Sequence, residues 1–392
     1  MSTKDPLNIP ISNSTVRVSI IDTTIDGDLP TAPFMGPPIP GFERWRAVGY
    51  AFLVTHTDAE GNTRRVVFDL GLPKDLANDF PPSVIEATVE IGVIMTAEKY
   101  VSEILSENGV SLEDIEALIL SHAHPDHIGR PSLFPASASL VVGPGVKASY
   151  FPGYPAVQES PILAREFEGR EVRELDFGGA DLEIGGLRAL DYFGDGSFYL
   201  LSAPGHAVGH INALARTAPD AFIYFAGDSF HHVSVIRPHA GARLPGDVRL
   251  PRLCCPGAAL HAIHPVAGNS AALRHYSGAL GPAGGDADGT PFFTVPETPG
   301  GGTPLAVDLR EARETVAAVQ RFDASPDVLV VGAHDRSLLG VLDFFPADAG
   351  GWREKGWKES GRWRFLQDFA RPLELAAAAA AAASEGDGVT VG

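Results

Sequence analysis

The feature that most constrains this chain is the stretch Ser121-His122-Ala123-His124-Pro125-Asp126-His127, which follows the apolar run Ala117-Leu118-Ile119-Leu120. A short apolar run that breaks into a polar turn reads as a buried β-strand ending in a loop. Three imidazoles and a carboxylate then fall within six residues. These are the usual protein ligands of zinc and related divalent metals. Extended backbone at His122-Ala123-His124 lets two rings face one side. Asp126 and His127 turn onto the other side, so one loop can serve two neighbouring metals. The bland alternative is a polar loop with a chance histidine cluster; 13 histidines in 392 residues make it the weaker reading.

Four more stretches accompany this loop in a fixed order. Val66-Val67-Phe68-Asp69-Leu70-Gly71 ends an apolar strand in Asp-x-Gly, and Pro204-Gly205-His206-Ala207-Val208-Gly209-His210 is a glycine-rich turn with two histidines. Phe225-Ala226-Gly227-Asp228 and Val330-Val331-Gly332-Ala333-His334-Asp335 each close a further apolar run. Together the five motifs resemble the metallo-β-lactamase superfamily over residues 66–335. The resemblance implies an α/β fold, a four-layer αββα sandwich whose active site lies on loops at one edge. It also implies two divalent metal ions. His122, His124 and His206 would hold one, Asp126, His127 and His334 the other, and Asp228 would bridge both. Asp69 would support the loop from behind. Zinc is the expected metal, although Mn, Co or Fe suit the same ligands.

Within the superfamily, His334 and the Gly227-Asp228 turn most resemble the N-acyl-homoserine lactonases and related esterases. Trp352-Arg353-Glu354-Lys355-Gly356-Trp357 is similar to the C-terminal stretch of the fungal lactonase-like branch. The implied activity is opening of a lactone, or cleavage of a related carboxylic ester, by a hydroxide shared between the metals. Its catalytic residues would be Asp126, Asp228 and His231. Those lactonases place a tyrosine three residues after the bridging aspartate, whereas this chain has His231, followed by His232. A histidine there can donate to a substrate oxygen or support a ligand from outside, and the sequence leaves both open. A glyoxalase-II-like or polyketide-type thioesterase shares the ligand set. A mononuclear iron oxygenase and a non-catalytic metal-binding protein are more distant alternatives.

The balance of 30 basic to 49 acidic residues gives a net charge of −19, which disfavours a nucleic-acid groove and the nuclease branches with it. The expected partner is a small apolar lactone or ester, and a homodimer stays open. Cys254 and Cys255 are adjacent and are the two cysteines of the chain, which points to reduced thiols and a cytoplasmic setting. The first ten residues lack an apolar signal region, and no run of 18 apolar residues suggests a membrane span.

Along the chain, strands are expected at 16–22, 48–55 and 64–69, with a hairpin turn at 58–62. Residues 24–46 read as a Pro/Gly-rich loop whose Phe34, Met35, Phe42 and Trp45 either pack on the domain or cover the metal site. Residues 72–96 look irregular, and an amphipathic helix is expected at 97–108. Ser111 to Asp114 suggests a short capped helix, and another should begin after Pro144. Strands follow near 140–142, 170–175, 182–184, 187–192, 198–202, 211–216 and 221–225, then a helix at 307–322 and a strand at 327–331. Residues 1–373 read as one domain with an insertion at 236–306. That insertion's His239, His261, His264 and His275 are expected to be hydrogen-bonded or solvated rather than ligands, and its residues 270–280 to pack near the site. The alanine-rich end, 374–392, reads as disordered or a frayed helix.

Overall fold

The computed structural model describes residues 7–267, 280, 284–297 and 305–386. One six-stranded sheet has the order β1 (Val16–Asp22), β4 (Tyr50–Thr57), β5 (Thr63–Phe68), β7 (Ile115–Ile119), β8 (Ser139–Val142) and β9 (Val172–Glu174). The first three strands pair antiparallel, and β5 to β9 run parallel. The second sheet has the order β10 (Glu183–Ile184), β11 (Leu187–Asp191), β12 (Phe198–Ser202), β13 (Ile211–Ala218), β14 (Ala221–Phe225) and β17 (Val328–Val331). It is antiparallel except for the parallel β14–β17 pair.

Period-two alternation divides the strand residues among three layers of core. Ile20, Phe52, Val66 and, from the other sheet, Leu200, Ile223 and Leu329 belong to the cluster between the sheets. Phe52 and Phe225 stack there at 3.8 Å, nearly parallel. The next residues along, Ile21, Leu53 and Val67, pack on the far side with Val101 and Leu105 of the helix Val101–Glu107. Leu201, Tyr224 and Val330 face the opposite way, toward Val319 and Phe322 of the helix Leu309–Ala324. Each sheet therefore carries helices on its outer face, the expected αββα arrangement.

Several segments differ from the sequence reading. Residues 24–46 supply two short strands, β2 (Asp26–Pro30) and β3 (Arg44–Ala47), which join β6 (Ile94–Thr96) in a three-stranded sheet. Met35, Phe42 and Trp45 between or on these strands are buried in the core, whereas Phe34 is half-buried. The supposedly irregular 72–96 stretch contains the helices Leu76–Asp79 and Pro82–Glu90, and the latter buries none of its residues. The helix expected from 97 begins at Val101, because the backbone amides of Glu98 and Lys99 donate to Thr24 Oγ1 and are held out of helical geometry.

In the insertion, β15 (Asp247–Leu250) and β16 (Leu253–Pro256) form a hairpin, and Cys254 and Cys255 on it are free thiols. His239 bonds Asp323, His261 bonds Asp288 and His264 bonds the Thr290 carbonyl, so these three are partnered away from the metal loop. His275 and residues 270–279 lie outside the described residues; Leu280 is buried. Alanines 376–383 belong to the helix Ala370–Gly386 and are mostly exposed, the helical one of the two expected forms. Among the described residues no helix is long and apolar enough to cross a membrane.

Candidate metal centre

All the expected ligands emerge at the ends of strands on one edge of the sandwich. The loop after β7 carries His122 and His124, and Pro125 starts the single turn Pro125–Ile128 that presents Asp126 and His127. The Ser121 carbonyl accepts from Ile211 N at 2.8 Å, tying this loop to the second sheet. The turn between β12 and β13 carries His206. There Gly205 has φ +116°, and a Cβ would sit 2.0 Å from the Ala312 amide nitrogen, so the turn can approach the helix Leu309–Ala324 only as glycine. Asp228 follows β14 and His334 follows β17.

These side chains converge in two groups. His206 Nε2 lies 3.2 Å from His122 Nε2 and 2.9 Å from His124 Nδ1. His334 Nε2 lies 3.3 Å from Asp126 Oδ2, with His127 Nε2 3.9 Å from the other Asp126 oxygen. Asp228 divides its carboxylate between them. Its Oδ2 faces His206 and His122 at 3.5 and 3.7 Å, and its Oδ1 faces both His127 and His334 at 3.1 Å.

The arrangement fits metal binding on its own chemistry. His127 Nε2 and Asp228 Oδ1 are buried without a hydrogen-bond partner although they face each other, and a cation between the two groups satisfies both. Burial holds His122 and His206 well below the usual imidazole value and His124 near 4, so all three are neutral donors. Burial would also lower His334, but the charge and hydrogen bond of Asp228 together with the charge of Asp126 outweigh it and lift the ring to about 9. That half of the site therefore gathers a proton against its carboxylates, the place a bound cation would take by displacing it.

The ligands are themselves fixed from behind. Asp69 Oδ2 bonds His127 Nδ1 at 2.8 Å, Ser121 Oγ bonds His122 Nδ1 at 2.9 Å, and the Val48 carbonyl accepts from His334 Nδ1 at 2.8 Å. Such contacts choose the tautomer that leaves the other nitrogen free for a metal. The sequence reading passed over His210, quoted in its motif but given no role. It donates to the Ala203 carbonyl and accepts from the Asp228 amide at 3.0 Å, fixing the backbone at Asp228. A Cβ at Gly227 would lie 2.8 Å from that histidine's Nε2.

His231 and His232 point to different places. His231 Nε2 lies 3.3 Å from Asp228 Oδ2, and its ring lines the pocket. His232 turns into the core, between Ser234 and Asp368 and against Phe42 and Trp45. Over the ligands opens a pocket whose inner lobe, about 350 Å³, is walled by Leu29, Leu72, Phe80, Val84, Ile85 and Met95. No lysine or arginine lines it among the described residues.

The chain is similar to several known proteins. The gamma-lactamase FDB1 of Fusarium pseudograminearum is 38% identical over 380 residues, covering 94% of this chain and 86% of its own length. The cytochrome P450 monooxygenase mpaDE' of Penicillium brevicompactum is 37% identical over 380 residues, but this chain spans 39% of that longer protein. A solved N-acyl homoserine lactone hydrolase, with the product N-hexanoyl-L-homoserine at its metal centre, superposes with a TM-score of 0.52 at 12% identity. The superposition covers 86% of this chain and 99% of that one, and shows a shared fold. Residues 45–334 match the metallo-beta-lactamase superfamily, so the match takes in every candidate ligand named above, and the chain belongs to that superfamily.

Proposed function

We propose that this protein is a metal-dependent hydrolase that opens a small apolar lactone, or cleaves a related carboxylic ester. The observation that carries the reading is the Asp228 carboxylate, split between two groups of candidate ligands at the floor of a pocket with mostly apolar walls. The relative named gamma-lactamase brings a cyclic amide into the same class, since the bond opened is again a ring acyl bond.

His122, His124 and His206 would hold one metal, Asp126, His127 and His334 the other, and Asp228 both. Zinc suits this donor set first. When bound, two such cations supply Lewis acidity to a carbonyl and a nucleophile at neutral pH. The chain's own residues do the rest. His231 Nε2, at the pocket face, donates a hydrogen bond to a substrate oxygen. Phe34 and the lobe behind it bind the apolar body of the substrate and exclude water from the reacting carbonyl.

The thioesterase reading is less well supported, because among the described residues neither lobe is lined by a lysine or arginine for the phosphates or carboxylates of a thioester carrier. A panel of lactones, γ-lactams, thioesters and phosphodiesters on metal-replete protein tests the choice. The expected result is turnover of lactones or lactams with little on the other two classes. Preferential thioester turnover would overturn it.

A further inference from the structure

Phe34 sits on the turn between β2 and β3 with its ring edge-on to His231, the ring centres 4.9 Å apart. It is half-buried and lines both lobes of the pocket, the inner one and a wider one of about 690 Å³ that runs toward Val295 and Pro296. A group bound beside the candidate ligands in either lobe therefore has this ring within its walls.

The turn does not hold that position alone. Gly36 N donates to the Thr294 carbonyl at 3.1 Å, and Thr294 N donates back to the Gly36 carbonyl at 2.7 Å, an isolated antiparallel bridge. One residue earlier, Phe293 N donates to the Ser234 carbonyl at 3.1 Å, three residues beyond His231. The Phe293 side chain is fully buried and its ring lies 5.2 Å from that of Phe42. Residues 293 and 294 of the insertion thus strap the turn bearing Phe34 to the segment bearing His231. Two buried ladder bonds and an aromatic contact make this a fixed relationship.

We propose that Phe34 determines the specificity of the site, selecting substrates with an aromatic or branched apolar group next to the ring that is opened, and that Thr294 is the positioning residue that holds it. This rests on the ring-opening reading of the site, so its test needs a readout independent of turnover. Cyclopentanone and 3-phenylcyclopentanone keep the ring and carbonyl of a lactone and have no bond to hydrolyse.

Calorimetric titration of metal-replete protein should show 3-phenylcyclopentanone binding roughly tenfold more tightly than cyclopentanone, the size expected of one good aromatic contact plus its buried area. Phe34→Ala should bring that ratio close to one, and Phe34→Leu should restore part of it. Thr294→Pro removes the N–H donated to Gly36 and should lower the ratio while metal content stays that of the parent. Should Thr294→Pro fail to fold, the two Phe34 variants decide the matter. An unchanged ratio in a folded Phe34→Ala variant overturns the proposal. A ratio that follows Phe34 in a protein that hydrolyses no lactone or lactam would uphold this inference and sink the ring-opening reading.

Discussion

Asp69 Oδ2 stands 2.8 Å from Nδ1 of His127, while the other oxygen of the same carboxylate accepts from the Ser121 amide at 2.6 Å. One side chain thus sets the ring of a candidate ligand and the start of the loop that carries it. Asp69 adopts φ +61°, a left-handed conformation that aspartate and asparagine tolerate better than most residues. Strand β5 therefore ends in a bend that turns the carboxylate beneath the metal loop.

Asp69→Asn keeps that backbone accessible and removes the charge behind His127. Metal affinity, measured by competition with a chromophoric chelator, should fall by roughly 10–100-fold. Affinity equal to that of the parent would remove Asp69 from the metal centre.

His231→Phe should lower kcat by about 10²–10³ with both metals retained, as expected for loss of one donor to a developing oxyanion. Were His231 only an outer support of Asp228, the loss would appear in metal content instead. Measuring kcat and metal content on one preparation separates these outcomes, and His232→Phe serves as the contrast, since His232 faces the core.

A structural prediction concerns Asp323 on the helix Leu309–Ala324. Burial would raise its pKa, but the Arg237 charge and the hydrogen bonds from His239 and Arg237 outweigh it and hold the carboxyl well below its ordinary value. A carboxylate lowered in the folded state adds stability above its unfolded pKa, near 3.9, and loses it as pH falls through the folded value. Asp323→Asn leaves buried Arg237 unpaired and should cost on the order of 3–5 kcal/mol at neutral pH. Its melting temperature should also vary less with pH in acid than the parent's. Equal melting temperatures across the range would contradict this.

Much of the candidate site was legible because the residues that converge there sit in short motifs directly after strongly apolar strands. The run 328–331, for example, is buried throughout and can end only at the loop that carries His334. The walls of the pocket were not legible for the opposite reason. The helix Pro82–Glu90 turns Val84, Ile85 and Val89 toward a cavity, so its sequence lacks the sustained stripe that packing against a core imposes. Strands β2 and β3 are too short, and too rich in turn residues between them, to show alternation. Which of His231 and His232 faces the candidate site depends on backbone torsion after Asp228. The Gly36–Thr294 bridge joins segments more than 250 residues apart through backbone atoms, which no side-chain pattern reports.

The central claim is that Asp228 holds two metals in one working site. It is tested most directly by adding zinc back to chelator-stripped protein while following lactone opening, in the parent and in Asp228→Ala. The parent rate should climb until about two equivalents per chain are bound, and folded Asp228→Ala should stay several orders of magnitude lower at every zinc concentration. A parent at full rate with one equivalent or none, or near-normal turnover by a folded Asp228→Ala variant, would contradict the account.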